Sequence, residues 1–121
     1  MWMIKALVRD FQRKHNLSTQ PIILGRCALF VLGLSEFFGD VDVLCPGLQA
    51  PIKEVIRQVE VDAGGVFLLG DEDLTQEVIS TAVTHETGLL LMCPKMILRH
   101  KKFMNRPKDQ EDIARLEAYL K

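Results

Sequence analysis

Gly39-Asp40-Val41-Asp42-Val43, followed by Leu44-Cys45-Pro46-Gly47, alternates carboxylate and valine before turning apolar, and Pro46-Gly47 closes it. That pattern predicts a strand from Asp40 to Cys45. Residues at i and i+2 of a strand project from one face, so Asp40 and Asp42 offer two carboxylates to one hard cation, Mg²⁺ or Mn²⁺, through oxygen. Upstream, after the polar break Ser18-Thr19-Gln20-Pro21, Ile22-Ile23-Leu24 reads as a short buried strand ended by Gly25. Arg26 to Leu34 reads as a helix that is apolar nearly all round and closes at Gly33. The order is therefore strand, glycine turn, buried helix, acidic strand.

Working outward, Trp2 to Asn16 sets Met3, Leu7, Val8 and Phe11 on one face, the period of an amphipathic helix lying on a sheet. Ile52, Val55, Ile56 and Val59 recur at helical spacing and predict a helix after the acidic strand, and Glu60 to Leu69 reads as extended with a break at Gly64-Gly65. Val78 to Thr84 is rich in β-branched residues and predicts a hairpin through His85-Glu86-Thr87-Gly88 into Leu89–Met92, with a helix over residues 73–82 as the competing reading. Pro94 starts a helix running to about Asn105, Pro107 interrupts it, and Asp109 is suited to cap a last helix whose stripe is Ile113, Leu116 and Leu120. The class is α+β, a small mixed central sheet flanked by helices.

At 121 residues and 48% hydrophobic content the chain suits one domain, 1–121, with its own core. Fifteen basic against sixteen acidic residues give a net charge of −1, which excludes a protein that coats nucleic acid by bulk charge. Cys27, Cys45 and Cys93 lie in apolar stretches and read as reduced, mostly buried thiols. Cys27 to Leu34 and Gly88 to Cys93 are too short to cross a bilayer, so a cytoplasmic protein without a membrane partner is expected. His15, His85 and His100 lack the paired spacing of a zinc site, and neither Ser35 nor Ser80 belongs to a Ser-His-Asp pattern. Asp71, Glu72 and Asp73 beside Gly70 read as a solvated turn. The aromatic residues read as core or interface, with Phe37-Phe38 beside the acidic strand able to wall a base pocket.

Leu24-Gly25-Arg26-Cys27-Ala28-Leu29, then Gly33, Ser35 and Gly39-Asp40-Val41-Asp42-Val43-Leu44, resembles the opening of the nucleotidyltransferase superfamily, whose fold is polymerase-beta-like, and in particular its small bacterial antitoxin-like branch. Leu98, Lys101, Arg106-Pro107-Lys108-Asp109, Asp112-Ile113 and Leu116 are similar to the closing signature of that branch. The two matches cover roughly Ile22 to Leu44 and Pro94 to Leu120. The resemblance implies a metal-dependent transfer of a nucleoside monophosphate from a nucleoside triphosphate to a protein or RNA acceptor, in a toxin–antitoxin or defence setting. It implies Asp40, Asp42 and a third acid as Mg²⁺ or Mn²⁺ ligands. Glu60 and Asp62 are the choices for the third, and Asp62 is preferred. It further implies Gly25 as the phosphate turn, with Arg26, Ser35 and Lys101 around the nucleotide. Arg26 stands where the family has a second glycine or a serine, and either contacts phosphate or fills the space that phosphate needs. Arg106, Lys108 and Asp109 read as structural, fixing the junction of the last two helices. The alternative is an inactive member that binds a nucleotide or a protein. The oligomeric state is left open.

Overall fold

Ile22 and Ile23 form a two-residue strand, β1, whose side chains are almost wholly out of water, and the rest of the sheet is built around it. The structure is a computed structural model that describes residues 2–46, 52–54, 59–61 and 66–121. Val41–Leu44 (β2) pairs antiparallel with β1, and Leu90–Leu91 (β8) runs parallel on its other side. Beyond β2 lie Val59–Val61 (β4), parallel to it, and Ile52–Glu54 (β3), antiparallel to β4. Val83–Thr84 (β7) forms the opposite edge. The result is a six-stranded mixed sheet in the order β3-β4-β2-β1-β8-β7. Leu68–Leu69 (β5) and Glu72–Asp73 (β6) make a separate hairpin.

Helix α1, Trp2–Lys14, lies against β4 and buries Ile4, Val8 and Phe11, an i, i+4, i+7 stripe. Met3, predicted to share that face, is 49% exposed because it is rotated about 100° from Ile4. Asn16, at φ +52°, turns the chain after the helix. Helix α2, Gly25–Val31, buries Cys27, Ala28, Leu29 and Val31, as its all-round apolarity predicts, and Gly33 at φ +80° ends it. Helices α4, Pro94–Met104, and α5, Gln110–Tyr119, pack on each other, joined by a 3-10 turn at Pro107–Asp109. One core joins all of these, with Phe11, Ile23, Leu29, Val41, Leu91 and Leu116 each fully buried. The class is α+β. No helix among the described residues is long and apolar enough to cross a membrane.

Three expectations change. Ile52–Glu54 is a strand, not the start of a helix, and its register sets Ile52 opposite Val61 and Lys53 opposite Glu60. β-branched residues meet the helical period by coincidence here and gain more from the pleated pairing. Residues 55–58 of that predicted helix, and the Gly64-Gly65 break, lie outside the described residues.

Second, Thr75–Thr81 forms helix α3, so only Val83–Thr84 of the predicted strand is extended. The Asp73 carboxylate accepts from both the backbone N–H and the hydroxyl of Thr75, at 2.9 and 2.6 Å, which starts the helix and overrides the β-branched preference. These bonds also hold the Asp73 carboxyl below its usual range. Leu74 and Val78, four apart, then point into the core. The hairpin itself stands: His85 N–H donates to Leu89 O, and Gly88 at φ +89° completes the turn.

Third, Asp109 precedes α5, but its carboxylate makes no cap bond to that helix. It reaches back to the Arg106 N–H and guanidinium instead.

Candidate functional site

The Leu24 N–H donates to Asp42 O at 2.8 Å, which extends the β1–β2 pairing by one bond. That bond sets the Gly25 turn beside the acidic strand. Gly25 has φ +55°, a conformation that side chains disfavour, and nothing lies within 4 Å of where a Cβ would stand. Gly25, Gly39, Asp40 and Asp42 line one side of a cleft of about 260 Å³. Its other side comes from the C-terminal helices: His100, Lys101, Arg106, Lys108 and Asp109. Arg26 lies between the two halves. The two segments that line this cleft are far apart in the chain, and the bond from Arg26 to Asp112 links α2 to α5 beside it.

The cations here are mostly engaged. Arg26 donates through Nε and Nη2 to Asp112 Oδ2, at 3.3 and 3.1 Å, and through Nη2 to Lys108 O at 3.3 Å. Its guanidinium also lies 4.9 Å from the centroid of the Phe37 ring. Arg26 is therefore drawn aside toward α5. The Lys101 ammonium is buried, 3.4 Å from Asp109 Oδ1 and 3.2 Å from Asp112 Oδ2. Arg106 donates through Nε to Asp109 Oδ2 at 2.7 Å and through Nη2 to Asp109 Oδ1 at 3.1 Å. Lys108 is exposed at the cleft and forms no ion pair among the described residues.

Its partners hold the Asp109 carboxyl at about 2, below the usual 3.8, chiefly through the Arg106 side-chain hydrogen bond. The folded state therefore favours the ionised form. The stabilisation is complete above about pH 5 and is lost as pH falls toward the folded value. Acid titration of the unfolding free energy should show a decline of ~2 kcal/mol across that window, and Asp109→Asn should remove this acid dependence. His100, stacked edge-on against Phe67 at 5.2 Å, is shifted below its ordinary value by burial and by Lys101 and Arg106, against the opposing pull of Asp109. Burial and the two cations both favour the neutral imidazole.

Of the residues predicted for a site, Gly25, Arg26, Asp40, Asp42 and Lys101 converge on this one cleft. Ser35 lies in a neighbouring cleft, and its hydroxyl donates to Phe37 O at 2.8 Å. Asp62 lies outside the described residues. Glu60, its rival for the third acid, is in parallel register with Asp42. Among the described residues, no three His, Cys, Asp or Glu side chains form a metal-holding group. Cys27 is core rather than nucleophile: burial, with the nearby Asp42 charge, pushes its thiol up to about 12. Burial likewise pushes Cys45 up to about 11.

Sequence reasoning missed His100 and gave Lys108 only a structural part. Both lie beside Lys101 and Arg106 in the same closing signature, so the signal was proximity to residues already singled out. The chain matches no family model, no curated protein and no solved structure.

Proposed function

We propose that this protein is a metal-dependent nucleotidyltransferase-like protein that takes a nucleoside triphosphate and transfers the nucleoside monophosphate to a protein or RNA acceptor. The observation that carries this reading is the shared cleft of Asp40, Asp42 and the Gly25 turn, which Arg26 also lines while its guanidinium pairs with Asp112. Asp42 on β2 and Asp40 immediately before it offer two carboxylates to a hard divalent cation and are the residues that would hold Mg²⁺ or Mn²⁺, with Glu60 or Asp62 as the third acid. When bound, such a cation neutralises charge on the phosphates. In the transfer, an acceptor oxygen bonds to the α-phosphorus as the bond to pyrophosphate breaks. The acceptor proton passes to solvent and pyrophosphate leaves. Lys108, unpaired among the described residues, supplies a cation for the phosphates. A toxin–antitoxin or defence setting belongs to this reading through the resemblance alone.

A second reading, a nucleotide- or protein-binding module without transfer, is favoured by one observation. Lys101 and Arg26, the cations first assigned to phosphate, are already paired with Asp109 and Asp112. Incubation with Mg²⁺ and labelled nucleoside triphosphates, with and without RNA and protein acceptors, separates the two. The enzyme reading expects label transfer that disappears in the Asp40→Asn/Asp42→Asn double variant. Metal-dependent nucleotide binding without transfer would leave the binding module, and the absence of both would sink the nucleotide reading.

A further inference from the structure

A second cleft, also of about 260 Å³, meets the first at Arg26 and is walled by Ser35, Phe37, Glu111 and Arg115. We propose that this second cleft is the subsite for the base of the nucleotide, with Phe37 as its stacking platform and Arg26 as the divide between base and phosphates. The proposal rests on the nucleotide reading above and deepens it.

Size is the first argument. Small-molecule sites generally begin near ~300 Å³, so the Asp40–Asp42 cleft is of a size for phosphates and a cation rather than for a whole nucleotide. The two clefts joined at Arg26 fall within the usual range.

The state of Phe37 is the second. The adjacent aromatic residues part company: Phe38 is half-buried, with its ring centroid 5.1 Å from that of Phe30, whereas Phe37 is 61% exposed. A single exposed apolar side chain is ordinary. Phe37, however, is held from two sides. The buried Ser35 hydroxyl donates to its carbonyl oxygen, and the Arg26 guanidinium lies over its ring. Arg26 is itself fixed by Asp112, whose side chain is 4% exposed. The far wall is held as well, because Arg115 on α5 donates to Leu34 O at 3.1 Å and pairs with Glu111. An exposed ring with its backbone and one neighbour fixed loses little freedom on stacking a flat partner. Base–aromatic stacking of this kind tolerates any base.

The test titrates the protein, with Mg²⁺ present, against inorganic tripolyphosphate and against ATP, CTP, GTP and UTP by calorimetry. Wild type, Phe37→Ala and Phe37→Trp are compared. The proposal expects Phe37→Ala to weaken nucleoside triphosphate binding by about fivefold or more and to leave tripolyphosphate binding unchanged. Phe37→Trp should retain the nucleotide affinity. Because Phe37 is exposed, both variants should keep the wild-type melting curve. Nucleotide affinity unaltered in Phe37→Ala, or nucleotides binding no better than tripolyphosphate to the wild type, would overturn the base subsite while leaving the phosphate cleft intact. If neither tripolyphosphate nor any nucleotide binds the wild type, the phosphate cleft falls and the base subsite with it.

Discussion

Lys101→Met should lower the unfolding free energy by about 3–5 kcal/mol, read as a shift in the urea midpoint at constant slope. Methionine preserves most of the stem and removes the charge. The loss arises because Asp109 and Asp112, 1% and 3% exposed, would keep their buried carboxylates while losing the cation between them. Arg106 and Arg26 would still hold one carboxylate each, which limits the damage but does not replace an ammonium that faces both. Lys102→Met is the control: Lys102 is half exposed and pairs with Glu117 at 3.3 Å, an arrangement worth at most about 1 kcal/mol. If Lys101→Met changed stability no more than Lys102→Met, the ammonium would not be the tie between α4, the 3-10 turn and α5. The phosphate contact that the resemblance implies for it would then regain ground.

Phe11→Ala should cost a similar ~3–5 kcal/mol, through lost burial and the cavity left behind. Phe11 is fully buried on α1, its ring centroid 4.6 Å from that of His15, and with Ile4 and Val8 it forms the stripe that fastens this helix to the sheet. Thermal melting of Phe11→Ala beside Met3→Ala distinguishes the buried face from the exposed one. Met3→Ala should stay within about 0.5 kcal/mol of wild type. Equal losses in the two variants would mean that the helix docks on a face broader than the Ile4, Val8, Phe11 stripe.

The elements nearest the site were the most legible. Ile22–Ile23, the apolar helix after Gly25 and the Val41–Leu44 strand carry periods and terminators that local chemistry enforces, and all three form. The segment from Ile52 was misread because β-branched residues at helical spacing carry no information about which pairing partner awaits them. The start of α3 was misjudged for a local reason that was visible but underweighted, the Asp73 carboxylate two residues before Thr75. Asp109 was placed at the correct junction with the wrong bonds, since Arg106 and Lys101 compete for its oxygens more strongly than an exposed helix end does.

For the candidate site, the glycine turn could be read directly, because a backbone sign change is a short-range property, whereas Asp40 falls just before the strand that was expected to hold it and meets Asp42 in the cleft instead. Arg26 was the open question, blocking or binding. Its partner lies 86 residues away in Asp112, and a side chain that long takes the position its strongest partner dictates. Lys101 likewise changed from an exposed candidate to a buried tie once α5 packed over it. The sequence by itself thus determined which residues carry charge, that Ile22–Ile23 and Val41–Leu44 are buried strands, and that Gly25 and Gly33 bound the helix between them. The tertiary structure alone decided which of those charges neutralise one another and that Phe37 rather than Phe38 faces water, because burial and ion pairing depend on neighbours brought together only by folding.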